Sequence, residues 1–222
     1  MASTSSLASV PFILLLAAAV LPGRAAASPA SEILRYEVVV MNLEAGEAGL
    51  ESAPRGGGSR LSAWARSWPA FQFYQVDARV DSLVDSALAP SRMTVRVDQG
   101  GESNRESVTY GRGETARDYL SCLYLLRKGG FRQGKPVRFS VKDSQGVRQV
   151  TATPVLREKV TVPAGVFPSD RVQVRVTGEG AEPYTFTVWL TEDALRIPVR
   201  VACDLPVGES SLLLTGRSSA PP

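Results

Sequence analysis

Apolar residues recur at every second position through almost the whole of this chain, and nothing else in it constrains the fold as strongly. Leu34, Tyr36 and Val38 alternate with Arg35 and Glu37. Tyr74, Val76, Ala78 and Val80 alternate with Gln75, Asp77, Arg79 and Asp81, and Met93, Val95 and Val97 with Arg92, Thr94 and Arg96. Val137, Phe139 and Val141 repeat the pattern, and short runs follow at residues 147–153, 156–162, 171–176, 184–190, 197–201 and 211–215. A period of two is that of a strand with one wet face. Between the runs stand turn formers: Asn42 (with Gly46 to Gly49 leading into a partner strand around Leu50), Gly100-Gly101, Asp143 to Gly146, Pro163 to Gly165 and Leu205 to Gly208. Connections this short join antiparallel neighbours, because a parallel crossover needs a helix or a comparable length of chain.

One stretch breaks the pattern. At residues 115–128 the period becomes 3.6: Tyr119, Cys122, Leu123 and Leu126 fall at i, i+3, i+4 and i+7. Leu120, Tyr124 and Leu125 extend apolar character most of the way round, so the helix should be buried. Thr115 is the expected N-cap, reaching the N–H of Asp118, and Arg127 and Lys128 suit the negative end of the helix dipole. Gly129 is the expected left-handed terminator. The fold class that follows is mainly β: a curved antiparallel sheet or open barrel of about ten strands wrapped around one buried helix.

The chain has 222 residues and opens like an exported protein. Residues 10–21 form an apolar run of signal-peptide length, too short to span a bilayer, followed by Pro22, Gly23 and the small triplet Ala25-Ala26-Ala27. Residues 1–27 therefore read as a signal peptide, 28–217 as a single β-rich domain, and 218–222 as a disordered tail. The expected location is periplasmic or secreted, with no transmembrane span in the mature chain. The formal charge of +3 loses Arg24 on cleavage, and the remaining basic residues are scattered singly among acids. That is a solvated surface, not a nucleic-acid patch.

Histidine is absent, which excludes His-based nucleophilic triads, His-ligated zinc and imidazole pH switching. Cys122 and Cys203 could form a disulfide in an oxidising compartment, tying the helix to a late strand; two buried free thiols are the slightly favoured alternative. Gly56-Gly57-Gly58 lacks the Lys-Ser/Thr and helix of a phosphate loop. Asp77, Asp81 and Asp85 have no calcium-loop spacing and mark a wet strand face, so no metal or other cofactor is expected. No Ser-x-x-Lys or paired-carboxylate signature stands out, and the chain is not expected to be an enzyme.

The densest aromatic segment, Trp64, Trp68, Phe71, Phe73 and Tyr74, either packs on the sheet or forms the lip of a groove. Four stretches carry a resemblance: Gly46-Glu-Ala48, the run from Asp118 to Arg127, Val162-Pro-Ala-Gly-Val-Phe167, and Trp189-Leu-Thr-Glu-Asp-Ala-Leu-Arg-Ile-Pro-Val-Arg200. Together they resemble the bacterial domain of unknown function 3108 family over most of the mature chain. The segment from Gly56 to Pro69 departs from it. The resemblance implies an exported envelope protein with a curved antiparallel sheet, akin by analogy to the open barrels of LolA/LolB-type carriers, and implies no particular activity. Trp189, Asp193 and Arg196 are a candidate ligand-facing cluster, with a pinned turn before Pro198 as the favoured alternative.

Ten strands spaced ~4.8 Å apart make a sheet roughly 48 Å wide, whereas a helix with side chains is about 10–12 Å across. Either the sheet curls until it packs on itself and the helix, or it leaves an apolar concavity. The second outcome is a binding site for a lipid, acyl chain or envelope glycolipid, with Tyr119, Leu123, Leu126, Trp64, Trp68 and Trp189 as candidate contacts. The alternative is a filled barrel serving as a structural or interaction module, its edges or the Trp64/Trp68 region meeting an envelope protein.

Overall fold

The computed structural model describes residues 31–70, 75–129, 132–205 and 208–220. The export segment and residues 71–74 of the aromatic stretch lie outside them.

In chain order the elements are β1 (Ser31–Val40), β2 (Leu43–Arg55), β3 (Gly58–Ser67), β4 (Val76–Asp85), β5 (Pro90–Gln99), β6 (Glu102–Thr109), α1 (Tyr119–Lys128), β7 (Val137–Asp143), β8 (Gly146–Val162), β9 (Gly165–Gly178), β10 (Ala181–Thr191), β11 (Pro198–Leu205) and β12 (Gly208–Ala220). The strands form one twelve-stranded sheet in the order β6-β5-β4-β3-β2-β1-β12-β11-β10-β9-β8-β7, every neighbour antiparallel. It is two six-stranded meanders. The first and last strands pair at its centre, so both edges belong to strands from the middle of the chain.

Tight turns set the register. Met41-Asn42, Gly56-Gly57 and Gly100-Gly101 each hold both residues at positive φ, the two-residue hairpin geometry whose twist matches that of the flanking strands. Bulges at Arg35/Tyr36, Val38/Val39, Leu83/Val84, Pro154/Leu156 and Trp189/Leu190 add curvature. The two edges are thereby brought together as a nearly closed barrel. The segment after β6 bridges the seam: Arg117 pairs with Val141 of β7, donating to Ser140 O and accepting from Lys142 N, both at 2.8 Å. The Tyr110 hydroxyl donates to Lys142 O at 2.7 Å, Lys142 Nζ lies 2.9 Å from Glu114, and Ser144 bonds Glu106.

Several details differ from the sequence reading. The helix starts at Tyr119 and is capped by Asp118, not Thr115, because residues 111–117 are drawn out to bridge the seam. Gly129 ends it in an extended conformation (φ −86°, ψ 143°), not a left-handed one. Gly46 and Gly49 lie inside β2, where side chains would collide with the Arg66 backbone and the Trp64 ring. The aromatic stretch holds a strand, β3, and the runs at 147–153 and 156–162 are one bent strand, β8. Ser218, Ser219 and Ala220, expected in the tail, pair with β1, and residues 221–222 lie outside the described residues.

Candidate functional site

The barrel interior is closed around α1. Leu120, Cys122, Leu123 and Leu126 have 0 % exposure, as do Leu34, Leu61, Val172, Val174, Val188 and Val199 on the surrounding strands. None of these ten side chains borders a space as wide as a water molecule, so the helix face they enclose is packed.

Both ends of α1 are fastened by buried polar groups. At its start Asp118 Oδ1 accepts the backbone N–H groups of Leu120 and Ser121, both at 2.8 Å. Its Oδ2 accepts the hydroxyl of fully buried Ser82 on β4 at 2.6 Å, and Ser121 Oγ closes the capping box on the Asp118 N–H at 3.1 Å. Burial pushes the Asp118 carboxyl above its ordinary range, outweighing the hydrogen bonds from Ser82, Ser121 and Leu120 that pull it down. At the other end Arg127 makes a bidentate pair with Glu32 of β1 (2.6 and 3.0 Å) and donates to Leu195 O at 3.2 Å. Arg217 joins Glu32 at 3.2 Å.

The six candidate contacts do not converge. Leu123 and Leu126 sit inside the barrel, and Tyr119 is buried at the seam with its hydroxyl on Asp143. Trp64 lies on the outer face of β3, its ring over Gly49 and its Nε1 donating to Glu51 at 2.9 Å. Trp68 is 47 % exposed at the end of that strand. Asp193 pins the loop before Pro198, accepting from Thr191 Oγ1, Leu195 N and Arg196 N, while Arg196 pairs with Asp170 at 2.9 Å. Cys122 and Cys203 are free thiols, so the disulfide alternative is not formed. Burial pushes Cys122 well above the usual thiol range and Cys203 up to about 12.

Of the acidic trio, Asp81 is held by Arg60, Arg79 and Ser62. Burial raises its carboxyl, but these hydrogen bonds outweigh that and leave it below the ordinary value. Asp77 pairs with Arg66 on the exposed surface. Among the described residues no cluster of three or more His, Cys, Asp or Glu could hold a metal ion, and no helix is long and apolar enough to cross a membrane.

A broad hollow lies outside the barrel. At the Pro154/Leu156 bulge the β8–β9 hairpin changes face and leans over β9–β11. Its tip reaches β12, where Ala164 N donates to Leu214 O at 2.9 Å. Beneath this arm is a groove of about 590 Å³, walled by Glu158 to Thr161 and floored by the outward residues of β9, β10 and β11. Trp189 is its centre. Arg171 and Arg200 are its register partners on either side, with guanidinium carbons 5.5 and 4.8 Å from the ring, and Nε1 donates to Glu158 at 2.6 Å. The sequence reading names Trp189 as a candidate contact, Arg200 only as the end of the family stretch, and assigns neither arginine to a site. The available signal is parity, since Trp189 falls in step with the wet-face residues Thr185 and Thr187.

A family model described as Protein of unknown function (DUF3108) matches residues 35–215. The chain belongs to the DUF3108 family. No functionally curated protein matches it. Among solved structures, this DUF3108 chain is similar to a β-barrel-like protein of domain of unknown function DUF1849 from Brucella abortus. Identity is 10 % and the TM-score 0.58, covering 87 % of this chain and 99 % of the other. That likeness bears on the fold alone. Two looser matches, each 11 % identical, are a protein provisionally described as a lipoprotein from Parabacteroides distasonis (TM-score 0.37, covering 86 % and 96 %) and one provisionally described as exported, with a YmcC-like fold, from Bacteroides fragilis (TM-score 0.35, covering 86 % and 97 %).

Proposed function

We propose that this DUF3108 protein is an exported, non-catalytic interaction module of the cell envelope whose barrel is filled by its own helix. The observation that carries the reading is the packing of α1: its inward side chains Leu120, Cys122, Leu123 and Leu126 and facing strand residues such as Leu34, Leu61 and Val172 have no exposed surface, and buried polar ties hold both helix ends. Contact with other molecules then falls to the outer faces and rims. The apolar run at residues 10–21 and the Ala25 to Ala27 triplet support export.

On the carrier reading, a lipid or acyl chain would enter the lumen and displace α1. This would break the Arg127–Glu32 pair and the Asp118 cap. The test is native mass spectrometry and solvent extraction of protein purified from the envelope, followed by titration with a fluorescent acyl probe. The expected result is polypeptide mass alone and no saturable probe binding. A stoichiometric acyl chain carried through purification would overturn the filled-barrel reading in favour of a carrier.

A further inference from the structure

We infer that the groove over Trp189 is a binding site for an acidic saccharide. Because it lies on the outer face, the site stands whether or not the lumen is filled. A row of three side chains set by strand register, Arg171, Trp189 and Arg200, forms its floor. The indole is fixed by its bond to Glu158 on the overhanging arm, and stacking on the indole fixes the guanidiniums in turn. The cations are thus preorganised. Their hydrogen-bonding capacity is not used up: Arg171 has no ion pair among the described residues. Arg200 gives one nitrogen to Glu209 at 2.8 Å, while its Nε is buried with no hydrogen-bond partner there. Buried polar atoms are ordinarily matched.

The rest of the lining narrows the ligand. Cations alone would suit a bare anion, but Asp204 and Glu209 also line the groove, Glu209 beside Arg200, and would repel one. Gln173, Thr185 and Thr187, on the floor, both donate and accept. A molecule with an acid group and several hydroxyls uses all three kinds of group. Its anion pairs with the guanidiniums, and its hydroxyls donate to the lining carboxylates and exchange hydrogen bonds with the floor. The groove's volume falls within the range of about 300–1,000 Å³ typical of small-ligand sites.

The test is titration of the full mature chain, followed by calorimetry and tryptophan fluorescence. Trigalacturonate and a hexose phosphate represent the two sources of acid; maltotriose, inorganic phosphate and a glutamyl dipeptide are the comparisons. Saturable binding of at least one acidic sugar with a fluorescence change is expected, weakened about tenfold or more in Arg171→Gln and recovered in part by Arg171→Lys. A response to trigalacturonate identifies a carboxylate sugar, and one to the hexose phosphate a phosphorylated sugar. An unchanged thermal midpoint in Arg171→Gln checks that the fold is intact. Arg200→Gln, on the other side of the ring, repeats the test independently. Overturning results are no binding of either acidic sugar, equal binding of maltotriose, binding of phosphate without preference for its sugar ester, or preference for the dipeptide, which would make the groove a peptide site.

Discussion

Replacing Asp118 by alanine and by asparagine separates what holds α1 in the barrel. Alanine removes both oxygens, leaving the Leu120 and Ser121 N–H groups and the Ser82 hydroxyl without their acceptor in a site with no exposed surface. Loss of an N-cap costs about 1 kcal/mol, and each buried group left unsatisfied about 1–3 kcal/mol. Against this stands relief from burying a carboxylate. The expected net loss is about 2–4 kcal/mol, a lowering of the thermal midpoint by roughly 4–16 °C for a domain of this size. Asparagine keeps an oxygen for the two amides, and its amide nitrogen can donate to Ser82 Oγ, so it should lie within about 1 kcal/mol of the parent.

The two variants also differ in pH dependence. The Asp118 pKa is raised in the folded state, so its contribution is fully present below the ordinary carboxyl range and is lost as pH rises through the folded value. Asparagine should abolish that component of the slope. Urea melts followed by circular dichroism between acidic and neutral pH measure both effects. An alanine variant as stable as the parent, or an asparagine variant as damaged as alanine, would refute the account of the helix start.

At the other end, Arg127→Met strands Glu32 beside Arg217 alone. Removing one partner of a buried pair costs about 3–5 kcal/mol, and the retained Arg217 contact at 3.2 Å should hold the loss near the lower figure in urea melts. Gly49→Ala would put a Cβ 2.5 Å from the Trp64 ring, so the indole must move off Glu51; a loss of about 1–3 kcal/mol with a shifted tryptophan emission is expected. Cys122 has no exposed surface and Cys203 is half-buried with its thiol pushed up to about 12, so neither should react appreciably with a thiol reagent at neutral pH until the protein is unfolded in urea, when both should. Rapid labelling of either in the native state would contradict the burial described.

Alternation made the strands legible, because a half-buried strand has few other ways to be written. The helix was legible as a period but not at its ends. Asp118 pairs with Ser121, a capping box without the usual Glu or Gln, and the preceding residues are stretched by a contact to β7 that lies far along the chain. Trp189 was visible as an aromatic residue and its face could be counted from Thr187. What it stacks on could not: Arg171 and Arg200 reach it only through pairings of β9 and β11 with β10, and the arm covering it depends on a bulge at Val155. Gly49 was read as part of a turn because glycine serves both turns and close packing; only the cross-strand position of Trp64 decides between them.

The width mismatch between sheet and helix holds for a flat sheet and dissolves when the sheet closes. Twelve strands at ~4.8 Å give a circumference of about 58 Å untilted, and about 75 Å with the ~40° tilt common in barrels, hence a diameter of roughly 18–24 Å. A central helix whose axis sits about 10 Å from each wall, the spacing of packed layers, occupies roughly 20 Å of that span. One helix therefore spans the width of such a barrel at the level where it stands. On the filled-barrel proposal, a ligand of acyl width has to take the helix's place instead of sharing the lumen with it. The buried ties at Asp118 and Arg127 then set how readily that exchange occurs. If the lumen ever opens, the Asp118→Ala variant should acquire acyl-probe binding that the parent lacks; if that variant stays dark while still folded, the helix is a permanent part of the core.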